Sequence, residues 1–541
     1  MFKRPTVLAP LRYETFRSLW LATLASNFGG LIQSVGAAWL MTSISTSVDL
    51  VALVQASSAL PVMLLALIGG AIADGFDRRK VILFSQIFMI VVSLVLAVCA
   101  YTGLITPWLL LTLTFLVGCG NAINNPSWQA SVGDVVDRAD LPGAVALNSI
   151  GFNLSRSAGP AIGGLIVAAA GAAATFAVNA LSYIPLLIVL LRWKPNYQPS
   201  TLPRETMGRA IVAGMRYVAM SPSIGRVLVR SFLFGFGASS FLALLPVVAA
   251  GRLGGGPLTY GLLLGSFGIG AVAAAFVSAR LRARFGSETV VRLAFLGFAI
   301  GTAALGLSPY ALLTAVGGLL AGACWILSLS LFNVTVQLSA PRWVVGRALS
   351  IYQTFTFGGM ALGAWLWGVL AEVHGTQFAL SAAALTLLAG GAVGLWIGLP
   401  RQQSLNLDPL NRWTEPAVAL DLEPRSGPIV VSIEYTINPV DVPAYLELMQ
   451  ERKRIRQRDG ARHWTLMRDL ADPTLWVESY RLPTWLEYVR HNMRTTHEDA
   501  ALRDRIRALH SAEAPPRVTR HIERPPSWFS SVAARNTVDP P

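Results

Sequence analysis

The sequence predicts an all-α polytopic membrane protein of twelve transmembrane helices in two six-helix halves, followed by a small C-terminal α+β domain. Three observations predict it. The 541 residues are 53% hydrophobic and only 13% charged, against about 25% charged in a soluble globule, and the apolar residues gather in runs near the ~20 that cross a bilayer as a helix. Cations fall in alternate loops between those runs. The fourth and fifth runs recur as the tenth and eleventh at an offset of 204 residues, matching Gly118 with Gly322, Arg138 with Arg342, Ala144 with Ala348, Gly159 with Gly363 and Gly164 with Gly368.

In chain order, residues 1–16 form a basic N-terminus and 17–192 a first six-helix bundle, with spans at 17–41, 49–73, 80–102, 106–128, 143–170 and 173–192. The run beginning at residue 17 is too long for a signal peptide and lacks a small-residue cleavage site, so it is expected to remain as the first helix. Residues 193–223 form a basic linker. The second bundle, 224–400, holds spans at 224–250, 257–280, 289–307, 309–336, 346–371 and 375–399. The loops after spans 2, 4, 6, 8 and 10 carry Arg78 to Lys80, Arg138, Lys194 through Arg216, Arg280 to Arg284, and Arg342 with Arg347. Those after spans 1, 3, 5, 9 and 11 carry no cation, and the loop after span 7 only Arg252. Retention of Lys and Arg inside then puts both termini in the cytoplasm.

The net charge of +14 follows the same logic. Up to residue 400 there are 23 Lys and Arg against 10 Asp and Glu; beyond it, 20 against 19. The excess flanks the apolar runs instead of forming the clustered basic face a nucleic acid would need, so the expected partners are the lipid bilayer and a small molecule, with no nucleic acid. Cys99, Cys119 and Cys324 lie within apolar runs without metal or disulfide spacing. No Walker A sequence GxxxxGK[ST] occurs, which argues against ATP hydrolysis. No cofactor, metal or catalytic residue is expected.

Two motifs carry the functional reading. Gly69 to Val81, GGAIADGFDRRKV, is a short charged loop closing an antiparallel pair of spans. It resembles the loop between helices 2 and 3 of the major facilitator superfamily, G-x-L-A-D-R-x-G-R-K: Gly70, Ile72, Ala73, Asp74 and Arg78 fall on the pattern, while Gly75 and Asp77 depart from it. Gly70, Asp74, Arg78 and Arg79, with Asp134 and Arg138 at i, i+4 spacing after span 4, read as a conformational latch. Span 5 carries NLSRSAGPAIGG. Its Gly159, Pro160, Gly163 and Gly164 resemble the G-P-x-x-G-G core of the superfamily's antiporter motif, although Ala146 and Ser155 replace earlier glycines. Glycines admit a neighbouring helix closely, and Pro160 removes a backbone donor and bends the helix, so this helix is expected to help seal the exterior.

Asn27, Gln33, Gln55, Asn121, Arg156 and Gln353 are the candidates to line a substrate cavity. Arg156 stands near mid-span, where a charge costs about 2.5–3.5 kcal/mol and faces a partner or a cavity; a substrate-facing or gating cation and a structural tie are both open. No carboxylate lies in the middle of any span, which favours a neutral or anionic substrate over a cation.

Beyond Pro400 the composition turns soluble. Residues 401–427 are a polar linker, 428–525 a domain, called the tail below, and 526–541 a terminal stretch. PIVVSIEYTI alternates as a strand, Asp441 to Arg458 reads as a helix, HWTLMRDL and TLWVESYRL as a hairpin, and helices followed by a strand near 516–523 complete β-α-β-β-α-β, the ferredoxin-like order. The segment RDLADPTLWVESYRLPTWLEYVRHNMRTTHED resembles the small dimeric α+β barrels related to antibiotic-biosynthesis monooxygenases. Together with FLVGCGNAINNPSWQA of span 4, the composite resembles the transmembrane secretion effector family, the branch of the superfamily similar to the enterobactin exporter. That resemblance implies a bacterial inner-membrane exporter of a small organic molecule such as a siderophore, drug or secondary metabolite, working by alternating access and coupled to protons. For the C-terminal domain it implies pairing of two copies or a regulatory role. The alternatives are a membrane-tethered monooxygenase using His463, Trp464, His491 or His497, and a non-transporting sensor or scaffold.

Overall fold

The computed structural model describes residues 8–132, 135–137, 140–193, 207–341, 343–400, 407, 410 and 413–524. The chain divides into two compact units. One comprises Met1–Ile211, Ser223–Val336 and Leu349–Arg401; the other comprises Val212–Pro222, Gln337–Ala348 and Gln402–Pro541.

The first unit is helical. Its helices are α1 (Glu14–Ile44), α2 (Val48–Gly75), α3 (Arg78–Tyr101), α4 (Pro107–Ser131), α5 (Leu141–Ser182) and α6 (Ile184–Arg192); then, after α7 (Met207–Ala219), α8 (Pro222–Val247), α9 (Pro257–Phe285), α10 (Ser287–Leu307), α11 (Ala311–Leu338), α12 (Val345–His374) and α13 (Thr376–Val393). Among the described residues ten helices are long and apolar enough to cross a membrane. Two features separate that figure from the twelve spans expected. Helix α1 coincides with the expected first span, but Ser26, Asn27, Gly29, Gly30, Gln33 and Ser34 dilute its apolar character. Residues 143–192 run as one stretch, broken at Gly171, whose φ of 80° and ψ of 171° are non-helical. The sequence expects the boundary between spans 5 and 6 at that residue, and a positive φ costs glycine little.

Packing in this unit uses close approach at glycine, as expected where lipid removes the hydrophobic drive between helices. The internal repeat reappears in these contacts. A Cβ on Gly118 of α4 would meet Pro61 of α2, and one on the equivalent Gly322 of α11 would overlap the Phe267 carbonyl of α9. Gly159 of α5 faces Leu31 of α1, whereas Gly363 of α12 faces the Phe236 carbonyl of α8. Gly164 of α5 abuts Gly261 of α9, and Gly368 of α12 abuts Asp49 and Ala52 of α2. Equivalent glycines thus meet equivalent helices.

The second unit contains a four-stranded antiparallel sheet, β1 (Ile429–Thr436), β2 (Arg462–Arg468), β3 (Leu475–Leu482) and β4 (Arg517–Ile522), in the order β2-β3-β1-β4. Helix α14 (Val442–Arg458) joins β1 to β2, and α15 (Trp485–Met493) with α16 (His497–Ala508) joins β3 to β4. The alternation legible in β1 is realised: Ile429, Val431, Ile433 and Tyr435 are buried and their neighbours are not. They pack with Tyr445, Met449, Trp476, Tyr480, Trp485 and Tyr488 in one apolar core. Thr484 caps α15, and Thr496 with Asp499 forms a capping box on α16.

Candidate functional site

A cavity of about 1190 Å³ lies in the helical unit, lined by α1, α2, α4, α5 and Leu186 of α6, with α8, α9 and α11 contributing residues that include Leu242, Tyr260, Phe267 and Ile326. Of the sequence candidates, Asn27, Gln33, Gln55, Asn121 and Arg156 line it; Gln353 does not. Asn124, Asn125, Gln129, Asn148 and Asn153 join them, so the wall is unusually rich in amides. Arg156 is its one charged lining residue and no carboxylate lines it.

The amides divide into two groups. Gln33 is spent on structure: its Oε1 accepts from Asn179 Nδ2 and, at 3.1 Å, from Ser93 Oγ, while Asn179 also donates to Tyr183 Oη at 3.1 Å. This network ties α1, α3 and α5 together. Gln86 Nε2 donates to Asn124 Oδ1 at 3.2 Å. Asn27, Gln55 and Asn121 make no side-chain hydrogen bond among the described residues, so their amides face the cavity with donors and acceptors to spare. Arg156 likewise has no carboxylate partner among the described residues. Its guanidinium lies over two rings, with Cζ 5.3 Å from the Phe267 centroid and 5.4 Å from that of Trp325. Ring faces stabilise the cation but leave its N–H donors available.

The span 5 motif positions Arg156. Helices α5 and α9 meet between Arg156–Gly164 and Gly261–Gly268: a Cβ on Gly261 would stand 2.6 Å from Pro160 O, one on Gly164 would stand 2.7 Å from Pro257 O, and one on Gly268 would overlap the Arg156 carbonyl. Gly163 sits against Ile32 and Val35 of α1. On the other side of Arg156, α5 residues Leu141, Val145, Asn148 and Phe152 line the cavity. The cavity is therefore closed along one half of α5 and bordered by the other.

At the Gly69–Val81 turn, a Cβ on Gly70 would lie 2.9 Å from Ser350 Oγ of α12. Asp77 caps α3, accepting from the backbone N–H groups of Arg79 and Lys80. Arg79 donates to the carbonyls of Leu190 and Leu191 at 2.8 and 2.9 Å, satisfying the end of α6. Arg78 Nε donates to Ala73 O at 3.4 Å. The Asp74 side chain, Asp134 and Arg138 lie outside the described residues.

Two charged clusters escaped the sequence reading. Tyr13 Oη lies 2.7 Å from Asp137 and 2.9 Å from Asp140, with its one proton to give to either, and Arg12 pairs with Asp140 at 2.6 Å. Fully buried Arg230 of α8 donates to the Gly390 carbonyl and lies 3.5 Å from Glu288, which also pairs with Arg292 at 2.7 Å and accepts from Leu399 N. Arg230 stands inside an expected span, and Glu288 with Arg292 has i, i+4 spacing, so a signal was present.

In the tail, Glu478 is fully buried and accepts from Arg452 Nε at 2.8 Å, Arg456 Nε at 3.3 Å and Trp464 Nε1 at 3.1 Å. Burial alone would raise its carboxyl; the two arginines outweigh it and hold it down at about 2. Arg456 Nη1 also lies 2.7 Å from His491 Nε2. Burial, then the Arg456 charge, lowers that imidazole to about 3. It is therefore neutral, and Nδ1–H points at Asp459 O, 3.3 Å away. His491 and Trp464, two of the groups an oxygenase reading would use, are thus bound into this network.

The helical unit has the fold of major facilitator transporters. It matches a bacterial homologue of the lysosomal transporter Spinster with a TM-score of 0.56 at 13% identity, over 72% of this chain and 97% of that one. It matches the nucleoside transporter NupG, as its D323A mutant, with a TM-score of 0.56 at 12% identity, over 71% and 100%. Residues 5–526 match the transmembrane secretion effector family, and the chain belongs to it, as a multi-pass membrane transporter. It is 26% identical to the staphyloferrin A transporter of Staphylococcus aureus over 51% of this chain and 70% of that protein. It is also 26% identical to the enterobactin exporter EntS of Escherichia coli O1:K1 / APEC over 61% and 79%. The same identity holds over 63% and 83% with YfiS, an uncharacterized MFS-type transporter of Bacillus subtilis.

Proposed function

We propose that the chain exports a small organic anion, of the siderophore or secondary-metabolite kind, across the bacterial inner membrane by alternating access coupled to protons. The observation that carries this is Arg156: a cation within a membrane span, held over two rings, without a carboxylate partner among the described residues and open to an amide-lined cavity. An intramembrane charge left in this way is a binding group by default, and Asn27, Gln55 and Asn121 add donors and acceptors. The relatives named for enterobactin export and staphyloferrin A transport agree with such a substrate.

In this reading there are twelve spans, both termini are cytoplasmic, and the Gly159–Gly164 contact with α9 seals the exterior while the cavity opens inward. Asp74, Arg78, Asp134 and Arg138 act as the latch at the cytoplasmic end. The tail is a ferredoxin-like domain, for which the strand order β2-β3-β1-β4 speaks. Two copies pair through its sheet face bearing Val430, Val477 and Met467. The membrane-tethered monooxygenase finds no support in the family or the relatives.

The test compares metabolites inside and outside cells that carry the chain, lack it, or carry Arg156→Ala. An organic anion should build up inside the second and third. Identical profiles with and without the wild-type chain would overturn the export reading.

A further inference from the structure

Two stretches distant in sequence from the tail, Val212–Pro222 and Gln337–Ala348, belong to the same compact unit as the tail. The first is the end of α7 and its connection into α8; the second joins α11 to α12. Their contacts with the tail are built from charges and rings. Arg494 lies over the Trp343 ring with Cζ 4.0 Å from the centroid. Trp343 meets Tyr217 edge-on at 5.7 Å, and Arg458 covers Tyr217 at 5.1 Å. Cation and ring thus alternate as Arg494, Trp343, Tyr217, Arg458. Tyr217 Oη donates to Ser339 O at 3.3 Å, joining the two stretches to each other.

Helix ends are exchanged as well. Arg454 of α14 donates from Nε and Nη2 to Met220 O at 3.0 and 2.8 Å, at the C-terminus of α7. Arg216, in the last turn of α7, donates to Arg458 O at 3.3 Å, at the C-terminus of α14. Each helix therefore supplies the cation that satisfies the other's terminal carbonyls, where the helix dipole is negative. Arg458 is itself fixed by Asp459 at 2.9 Å and Asp499 at 3.1 Å. A tail merely tethered by its linker would need none of this.

We infer that the tail is a clamp: it binds the lead-in of α8 and the lead-in of α12 together and restrains the first turns of both helices, slowing the conformational cycle. The inference rests on the transporter reading for its consequence, but not for the docking itself. Full-length protein in lipid nanodiscs is followed by hydrogen exchange, comparing wild type with Arg494→Ala and Arg454→Ala, both changed on the tail side. Exchange in 212–222 and 337–348 should rise on the order of tenfold, the scale of one desolvated cation–π contact. The rise should extend into α8 beyond Pro222 and into α12 beyond Ala348, with β1 and β3 still protected. Unchanged exchange in the two stretches with both variants overturns the clamp, as does a rise confined to them that leaves α8 beyond Pro222 and α12 beyond Ala348 as they were. Absence of any flux through the wild-type chain would instead sink the transport reading, because exchange reports the clamp without it.

Discussion

At the scale of single residues, the cavity and the tail treat charge in opposite ways. In the tail, every charge in the Glu478 network has a counter-charge or a ring: Arg452, Arg456, Trp464 and His491 close around one carboxylate. Removing one partner from such a buried cluster costs about 3–5 kcal/mol, so Arg452→Ala should unfold the tail while spectra of the helical unit persist. The network also sets a pH dependence. Both Glu478 and His491 have folded pKa values below their ordinary ones, about 2 and about 3. The unfolded chain therefore binds more protons through this window, and stability falls with pH. It starts to fall as His491 crosses its ordinary value near 6.5 and falls further below the ordinary carboxylate range. Exchange protection of β3 should drop between about pH 6 and pH 4, and His491→Gln should remove the upper part of that drop. In the cavity, by contrast, Arg156 has rings but no carboxylate partner among the described residues. Arg156→Ala should lower efflux of the anionic substrate at least about tenfold, the worth of a charged hydrogen bond, with Arg156→Lys recovering part of it. An unchanged substrate profile would leave Arg156 a structural role only.

At the scale of elements, the crossing of α5 and α9 depends on the absence of side chains. A Cβ on Gly261 would lie 2.6 Å from Pro160 O and 2.9 Å from Gly164 Cα, so Gly261→Val must push the helices apart. Overpacking of this kind costs about 1–3 kcal/mol; transport should fall with insertion intact, and a variant transporting normally would show that this contact is not a seal. The proposed latch makes a separate prediction: Asp74→Asn or Arg78→Ala should slow turnover more than it weakens substrate binding, and wild-type rates in both would remove that proposal. The elements were legible because periodicity and punctuation are local. The apolar runs, the Gly171 break, the alternation of β1 and the α14 helix all follow from a few neighbouring residues. Partnership was not legible, because it joins distant positions. Arg230 finds the Gly390 carbonyl 160 residues away, and Arg12 finds Asp140 at a separation of 128. Glu288 and Arg292, at i, i+4 spacing, were open to a local reading, but the link of Glu288 to Arg230 in another helix was not. Gln353 shows the converse: a polar residue in a span satisfies the pattern of a cavity wall without lining this cavity.

At the scale of the whole molecule, the repeat and the division into units separate two tasks. The glycine pairs at an offset of 204 make equivalent contacts, so the two halves of the helical unit are built on one plan, with one difference that matters: every amide candidate found in the cavity wall, and Arg156, comes from the first half. The second half contributes mainly apolar and aromatic surface, Leu242, Tyr260, Phe267 and Ile326. If the cavity is the substrate site, as proposed, recognition falls to the first half and closure to the second. All of the cavity's lining residues fall within the first compact unit, and none comes from the tail. A chain ending at residue 401 should therefore insert and still export its substrate, at an altered rate because the grip on residues 212–222 and 337–348 is gone. The measurement is efflux from cells expressing the shortened chain, with membrane insertion checked by protease protection of the loops. Efflux above the level of cells lacking the chain places the transport machinery in the helices. Complete loss of efflux from a correctly inserted chain would make the tail indispensable and return the chemistry to residues 402–524.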